Sequence, residues 1–206
     1  EISLGLVGSE MCIRDRWRAT PRICCAGTER PAMRKSHLKE ALHMAQSERP
    51  RRTADEIFME QAIALSAQAV RHGNEPFGAV LVRDGAVVFT NENQIYTAGD
   101  PTFHAEAGLL RRFCAETGIT DLSAYTLYSS CEPCFMCAGA MVWMKLGRLV
   151  YAAGNDDLCA LLGEPGCGCS AMVFAHSAHR PEVASGVLRE ESLAILKDYF
   201  ASHGKG

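Results

Sequence analysis

The chain reads as an α/β protein, a three-layer α/β/α domain around a mixed sheet. Three observations carry that reading. Amphipathic helical stretches alternate with short apolar, β-branched runs in the order α-β-β-α-β-α-β. The first two runs are joined by Arg83-Asp84-Gly85-Ala86, which reads as a hairpin turn, whereas later runs lead into helices. The histidine, glutamate and cysteines able to carry chemistry fall at or near the starts of those helices.

Thr53 precedes Asp55 and Glu56, an N-cap followed by acids in a first helical turn. Ile57, Phe58, Ala62, Leu65 and Ala69 then recur at helical spacing, predicting an amphipathic helix over 54–72 that ends at His72-Gly73-Asn74. The hairpin strands are 77–82 and 87–90. Asn91-Glu92-Asn93-Gln94 leaves the second strand and leads through a loop to Asp100-Pro101. A second helix opens at Pro101-Thr102-Phe103-His104, with Leu109, Leu110 and Phe113 on its buried side and Gly118 at its end. Residues 125–130 predict a third strand, 133–144 a third helix and 148–152 a fourth strand. Further on, the pattern predicts a short helix over 157–162, a Gly/Cys/Pro-rich loop over 164–170, a fifth strand over 171–175 and a closing amphipathic helix over 187–202.

The 206 residues, 48% hydrophobic and 22% charged, suit one soluble domain with a tail, and no apolar run is long enough to span a membrane. Ten cysteines without a signal-peptide pattern, several of them clustered, fit a reducing cytoplasm. Residues 1–16 are expected to be foreign. Met11-Cys12-Ile13-Arg14-Asp15-Arg16 matches the translation of ATG-TGT-ATA-AGA-GAC-AG, the end of a transposase adapter used in sequencing libraries. Residues 17–53 carry nine basic and three acidic residues with little apolar periodicity, the composition of a disordered lead-in. That leaves 54–206 as the folded domain, with ten basic and eighteen acidic residues and a net charge of −8. Such a body is poorly suited to a polyanionic partner.

Pro133-Cys134-Phe135-Met136-Cys137 places two thiols at i and i+3, with a proline where a helix begins. Both sulfurs then project from one turn, and a helix N-terminus favours the thiolate that binds metal. Alone, the pair is compatible with a redox motif or half of a structural zinc site. His104-Ala105-Glu106, thirty residues earlier, decides between them. One histidine and two cysteines give three ligands, the count of an open catalytic zinc site, and the glutamate beside the histidine is a proton carrier. His104 and Glu106 are two residues apart, so they share a pocket only at a helix entrance, which Pro101 is expected to set.

His-x-Glu followed by Pro-Cys-x-x-Cys is the pattern of zinc nucleobase deaminases. From about Asp55 to Phe200 the chain resembles the cytidine-deaminase-like superfamily, and within it the bacterial guanine deaminase and nucleoside deaminase branch. The resemblance rests on Glu75-Pro76-Phe77-Gly78-Ala79-Val80-Leu81-Val82, on Asp100 to Glu106 and on Ser130 to Ala140. It implies a five-stranded sheet, one Zn²⁺ per chain on His104, Cys134 and Cys137, and Glu106 as the catalytic group. It also implies that Asn93 hydrogen-bonds the base, with Phe77, Ala105 and Trp143 as further substrate contacts. The expected reaction is hydrolytic deamination of a free nucleobase, guanine to xanthine and ammonia, by a cytoplasmic homodimer without nucleic-acid or membrane partners. The alternatives are a tRNA adenosine, cytosine, nucleoside or aminotriazine deaminase and, outside enzymes, a structural zinc module needing a fourth ligand such as Cys131 or His72. Cys167-Gly168-Cys169 reads as part of a loop at the pocket mouth, and Cys114 and Cys159 as buried thiols.

Overall fold

Thr53 closes a capping box at the start of helix α1 (Ala54–Arg71). Its Oγ accepts the Glu56 N–H at 3.2 Å, and Glu56 Oε2 accepts the Thr53 N–H at 2.7 Å. The computed structural model describes residues 52–166 and 168–203. The expectations for 1–16 and for Cys167 therefore lie outside the described residues, as do those for 17–53 apart from Arg52 and Thr53.

After α1, strands β1 (Gly78–Arg83) and β2 (Ala86–Glu92) form the expected hairpin. Asp84 and Gly85 have φ of 52° and 73°, the left-handed pair that a two-residue type I′ turn requires. Helix α2 (Ala105–Thr117), strand β3 (Thr126–Cys131), helix α3 (Phe135–Trp143) and strand β4 (Arg148–Ala153) follow. The chain then forms α4 (Asn155–Leu162), α5 (Cys169–Ala175), strand β5 (Glu182–Ser185) and α6 (Arg189–His203). The sheet order is β2-β1-β3-β4-β5, with β1 antiparallel to β2 and β3, and β4 parallel to β3 and β5. It is the mixed five-stranded sheet expected.

Alternation along the strands builds the three layers. Ala79, Leu81, Leu127 and Leu149 pack on Leu109, Leu110 and Phe113 of α2 and on Ala138 and Met141 of α3. Val80, Val82, Tyr128 and Val150 face the other way, onto Met59, Ala62 and Ile63 of α1, where Leu188 and Ile195 of the C-terminal region join them. Because β1 and β4 are covered on both faces, they read as near-continuous apolar runs rather than alternating ones. Gly78 lets α1 lie directly on β1. A methyl there would meet the Ala62 carbonyl oxygen at 2.3 Å and the Ser66 nitrogen at 2.6 Å.

Two expectations change. Residues 171–175 are not a strand but most of helix α5, because Cys169, Ser170 and Phe174 turn inward at helical spacing while Met172 is exposed. A run of five apolar residues is too short for periodicity to separate the two states. The fifth strand is Glu182–Ser185, a short edge strand directly after Pro181, with little of it buried. Cys159 is buried as expected, whereas Cys114 is only half-buried. Among the described residues, no helix is long and apolar enough to cross a membrane.

Candidate active site

Both helices that carry the His-x-Glu and Cys-x-x-Cys motifs begin on a potential ligand. His104 is the N-cap of α2 and Cys134 the N-cap of α3, each with extended backbone and neither using its side chain to cap its own helix. The entrance to α2 is thus at His104, three residues beyond Pro101, which lies in the preceding turn. Likewise Pro133 sits one residue ahead of the N-cap of α3 rather than in its first turn. The change of backbone direction at His104 is what lets His104 and Glu106 both reach the cysteine pair, His104 at Cys134 and Glu106 at Cys137. His104 Nδ1 and the sulfurs of Cys134 and Cys137 lie within 4.8 Å of one another, with Cys134 Sγ 3.6 Å from Nδ1. Among the described residues they form the one such cluster of three.

The electrostatics of this cluster suit a soft dication. The hydrogen bond from Cys137 pulls the Cys134 thiol down to about 4, with His104 adding to the effect. Cys137 moves upward, since it donates that bond and is buried near Glu106. One proton is thus shared by the pair, and binding a metal would release it. The bond with Cys134 also raises the His104 imidazole above its ordinary value. One imidazole and two sulfurs at this spacing, with the N–H groups of Cys137 and Ala107 directed at the sulfurs, fit Zn²⁺ with a position left open. The fourth ligands considered for a structural module do not join them. His72 Nδ1 is 2.5 Å from Glu92 Oε1, and Cys131 is a buried thiol whose pKa burial pushes up.

Glu106 is 6% exposed, and burial raises its carboxyl above the ordinary range. Ser129 Oγ donates to its Oε1 at 2.9 Å, and Cys137 Sγ lies 3.6 Å from its Oε2. Asn93 is fully buried. Its Oδ1 accepts the Ile95 N–H at 3.1 Å, while its Nδ2 has no hydrogen-bond partner among the described residues. The carboxamide therefore offers chiefly its donor, rather than a donor and acceptor together. Phe77 is half-buried, and its carbonyl accepts the Asn93 N–H at 2.9 Å.

The remaining two expected contacts are placed differently. The Ala105 methyl is in the core against α2 and α3, so only its backbone N–H, first in the helix, can face a ligand. Trp143 is 88% exposed at the far end of α3. Six residues separate it from Cys137, about 9 Å along the axis. It is not a wall of the pocket within this chain.

Three supporting residues were not singled out from the sequence. Ser129 holds Glu106. Asn91 Nδ2 donates to the Ala105 carbonyl at 2.9 Å, and its Oδ1 accepts from Arg112 at 3.2 Å, tying β2 to the entrance of α2. Glu132, two residues before Cys134, accepts the Asn155 N–H at 2.9 Å on one oxygen and the Ser170 N–H and hydroxyl on the other. One carboxylate so caps both α4 and α5 and fixes them to the cysteine motif. Buried serine and asparagine at strand ends are the signal that marks such residues, but it becomes specific only once strand pairing is known.

The geometry and the family agree. Residues 52–153 match the cytidine and deoxycytidylate deaminase zinc-binding region, and the chain belongs to that family. A guanine deaminase from Bacillus subtilis is 42% identical over 103 residues, which cover 50% of this chain and 66% of that protein. A tRNA-specific adenosine deaminase from Agrobacterium fabrum is 36% identical over 143 residues, covering 69% and 91%. The solved structure of a guanine deaminase from Nitrosomonas europaea matches with a TM-score of 0.63 at 27% identity, over 77% of this chain and 91% of that one. The protein is accordingly a zinc-dependent hydrolase of the deaminase class, acting on a C–N bond.

Proposed function

We propose that the protein deaminates a free purine base, converting guanine and water to xanthine and ammonia. The observation that carries this reading is Asn93 Nδ2, a fully buried donor without an acceptor among the described residues. An unsatisfied buried donor costs about 1–3 kcal/mol, which a ligand acceptor recovers. The O6 and N7 edge of guanine supplies acceptors of that kind. The bond from Ile95 to Oδ1 fixes which way the amide points.

When held by His104, Cys134 and Cys137, zinc supplies a Lewis acid that lowers the pKa of water at the site. Glu106 is the proton carrier in this proposal. Ser129 occupies Oε1 and leaves Oε2, on the Cys137 side, to take the proton of the attacking water. The raised carboxyl pKa lets Glu106 retain that proton until it passes to a ring nitrogen and then to the departing amine. A C–N bond breaks, a C–O bond forms and ammonia leaves.

The second reading is tRNA adenosine deamination, favoured by the length of the match to the Agrobacterium fabrum enzyme. The −8 balance of residues 54–206 supports a small neutral substrate instead. A homodimer in the cytoplasm completes the proposal, and the exposed Trp143 indole supports a second copy as its cover. The test is an ammonia-release screen over guanine, cytosine, nucleosides, aminotriazines and tRNA at low and moderate salt. Guanine is expected to be the best substrate, with kcat/KM nearly independent of ionic strength. A faster reaction on tRNA that collapses with salt would overturn the assignment.

A further inference from the structure

Asn74 is 1% exposed and lies outside the metal-ligand cluster. Its backbone is fixed by the end of α1. Gly73, with φ of 83°, donates its N–H to the Val70 carbonyl at 3.0 Å, and the Asn74 N–H reaches back to the Ala69 carbonyl at 2.9 Å. These two bonds form a Schellman ending, which sets the direction in which the chain leaves the helix. The Asn74 side chain then grips a loop distant in sequence. Its Oδ1 accepts the N–H groups of Tyr96 and Thr97, both at 3.1 Å, and the Thr97 hydroxyl at 3.2 Å. Its Nδ2 donates to Thr97 Oγ1 at 3.0 Å.

The loop held in this way joins Asn93 to His104. Gln94 N–H donates to the Phe103 carbonyl at 3.0 Å, which closes residues 94–103 at their base and brings Asn93 and His104 together. The Asn93 backbone is fixed independently, since its N–H donates to the Phe77 carbonyl at 2.9 Å. The direction of its amide depends instead on one bond, from Ile95 N–H to Oδ1 at 3.1 Å. Ile95 directly precedes the two residues that Asn74 grips. Tyr96 and Thr97 are themselves exposed, so without Asn74 their N–H groups turn to water and the loop keeps only its closed base. A carboxamide released from Ile95 can rotate half a turn and present an acceptor in place of its donor.

We propose that Asn74 is a positioning residue for substrate selection. Through Tyr96, Thr97 and Ile95 it keeps Asn93 Nδ2 aimed at the O6 acceptor of guanine, and so sets the preference for a purine with a carbonyl there. The inference rests on the guanine reading and adds a residue, remote from base and metal, that enforces it.

The test compares kcat/KM for guanine and for 2-aminopurine, which keeps the 2-amino group but lacks O6. It uses wild type, Asn74→Ala, Asn74→Asp, Thr97→Val and Asn93→Ala, with zinc content measured on each. Wild type is expected to prefer guanine by about tenfold or more, the value of a hydrogen bond from an otherwise orphaned donor. Asn93→Ala is expected to lose that preference, and Asn74→Ala to lose most of it at unchanged zinc content. Asn74→Asp retains an oxygen acceptor for both N–H groups and is expected to restore the preference. A residue that only supports the fold would lower both rates alike and leave their ratio fixed. Because Thr97 is exposed, Thr97→Val serves if Asn74→Ala fails to fold, with the ratio expected to fall by about threefold.

An unchanged ratio in Asn74→Ala, or in Thr97→Val where Asn74→Ala does not fold, would overturn the role of Asn74. If Asn93→Ala had lost the preference in the same series, the guanine reading would stand without it. Asn74→Asp no better than Asn74→Ala would also overturn the proposal, as would equal wild-type rates on the two bases or an undiminished preference in Asn93→Ala. No reaction of wild type on guanine would overturn the guanine reading itself, and the positioning role with it.

Discussion

Asn93→Ala separates a substrate-binding amide from a merely structural one. In the native protein its Oδ1 makes one hydrogen bond, to Ile95 N–H, and its Nδ2 makes none although the residue is fully buried. Truncation loses the Ile95 bond, about 0.5–1.5 kcal/mol, but also removes an orphan donor that costs about 1–3 kcal/mol. These terms oppose each other, so thermal stability is expected to change little. Catalysis has no such compensation. Losing the bond to the base raises the barrier from free enzyme and substrate by about 1–3 kcal/mol, or roughly 5–150-fold in kcat/KM. Zinc content is expected to hold, since Asn93 is outside the ligand cluster. The assay is steady-state ammonia release from guanine beside a thermal melt and metal analysis. A kcat/KM within about twofold of wild type would refute the reasoning. So would a large loss of stability with unaltered kinetics of the remaining folded enzyme.

Three further outcomes are expected. Ser129→Ala removes a hydrogen bond that holds the Glu106 carboxyl down, so the acid limb of the kcat/KM profile for guanine should move to higher pH; an unmoved limb would separate Ser129 from proton transfer. Arg148 donates to both oxygens of Asp55 at 2.8 Å and holds its pKa below the ordinary 3.8, with Tyr128 assisting. That stability is present above the ordinary pKa and lost as pH falls through the lowered one, so urea melts should show Asp55→Asn weaker than wild type at neutral pH, with the gap closing in acid. Gly78→Ala would drive a methyl into the backbone of α1 and should cost at least the 1–3 kcal/mol, roughly, of an overpacked core; an unchanged melting temperature would show that α1 can lift off β1.

The ligand cluster was legible in the sequence because its chemistry is local. Cys134 and Cys137 are one helical turn apart, and the two-residue offset of His104 and Glu106 already required a helix entrance. Central strands were legible because burial on both faces makes them β-branched and apolar. The region after Asn155 was misread for the opposite reason. Its edge strand is exposed and polar, and its helix α5 offers only five apolar residues, so neither has a period to detect. Ser129, Asn91 and Glu132 were hidden because their partners are remote in sequence. Glu132 caps two helices through Asn155 and Ser170, 23 and 38 residues away, and nothing near it announces that role. Trp143 shows the limit of carrying a residue over by position, since the helix turns it to solvent.

The central claim is that Glu106 moves protons beside zinc held by His104, Cys134 and Cys137. Glu106→Gln tests it most directly, with zinc stoichiometry and ammonia release from guanine measured on the same preparation. The side chain keeps its size and its contact with Ser129 but cannot carry the proton. Zinc content equal to that of wild type is expected, with turnover reduced by about 10²–10⁴-fold or more. Turnover within about tenfold of wild type, at full zinc occupancy, would contradict the account.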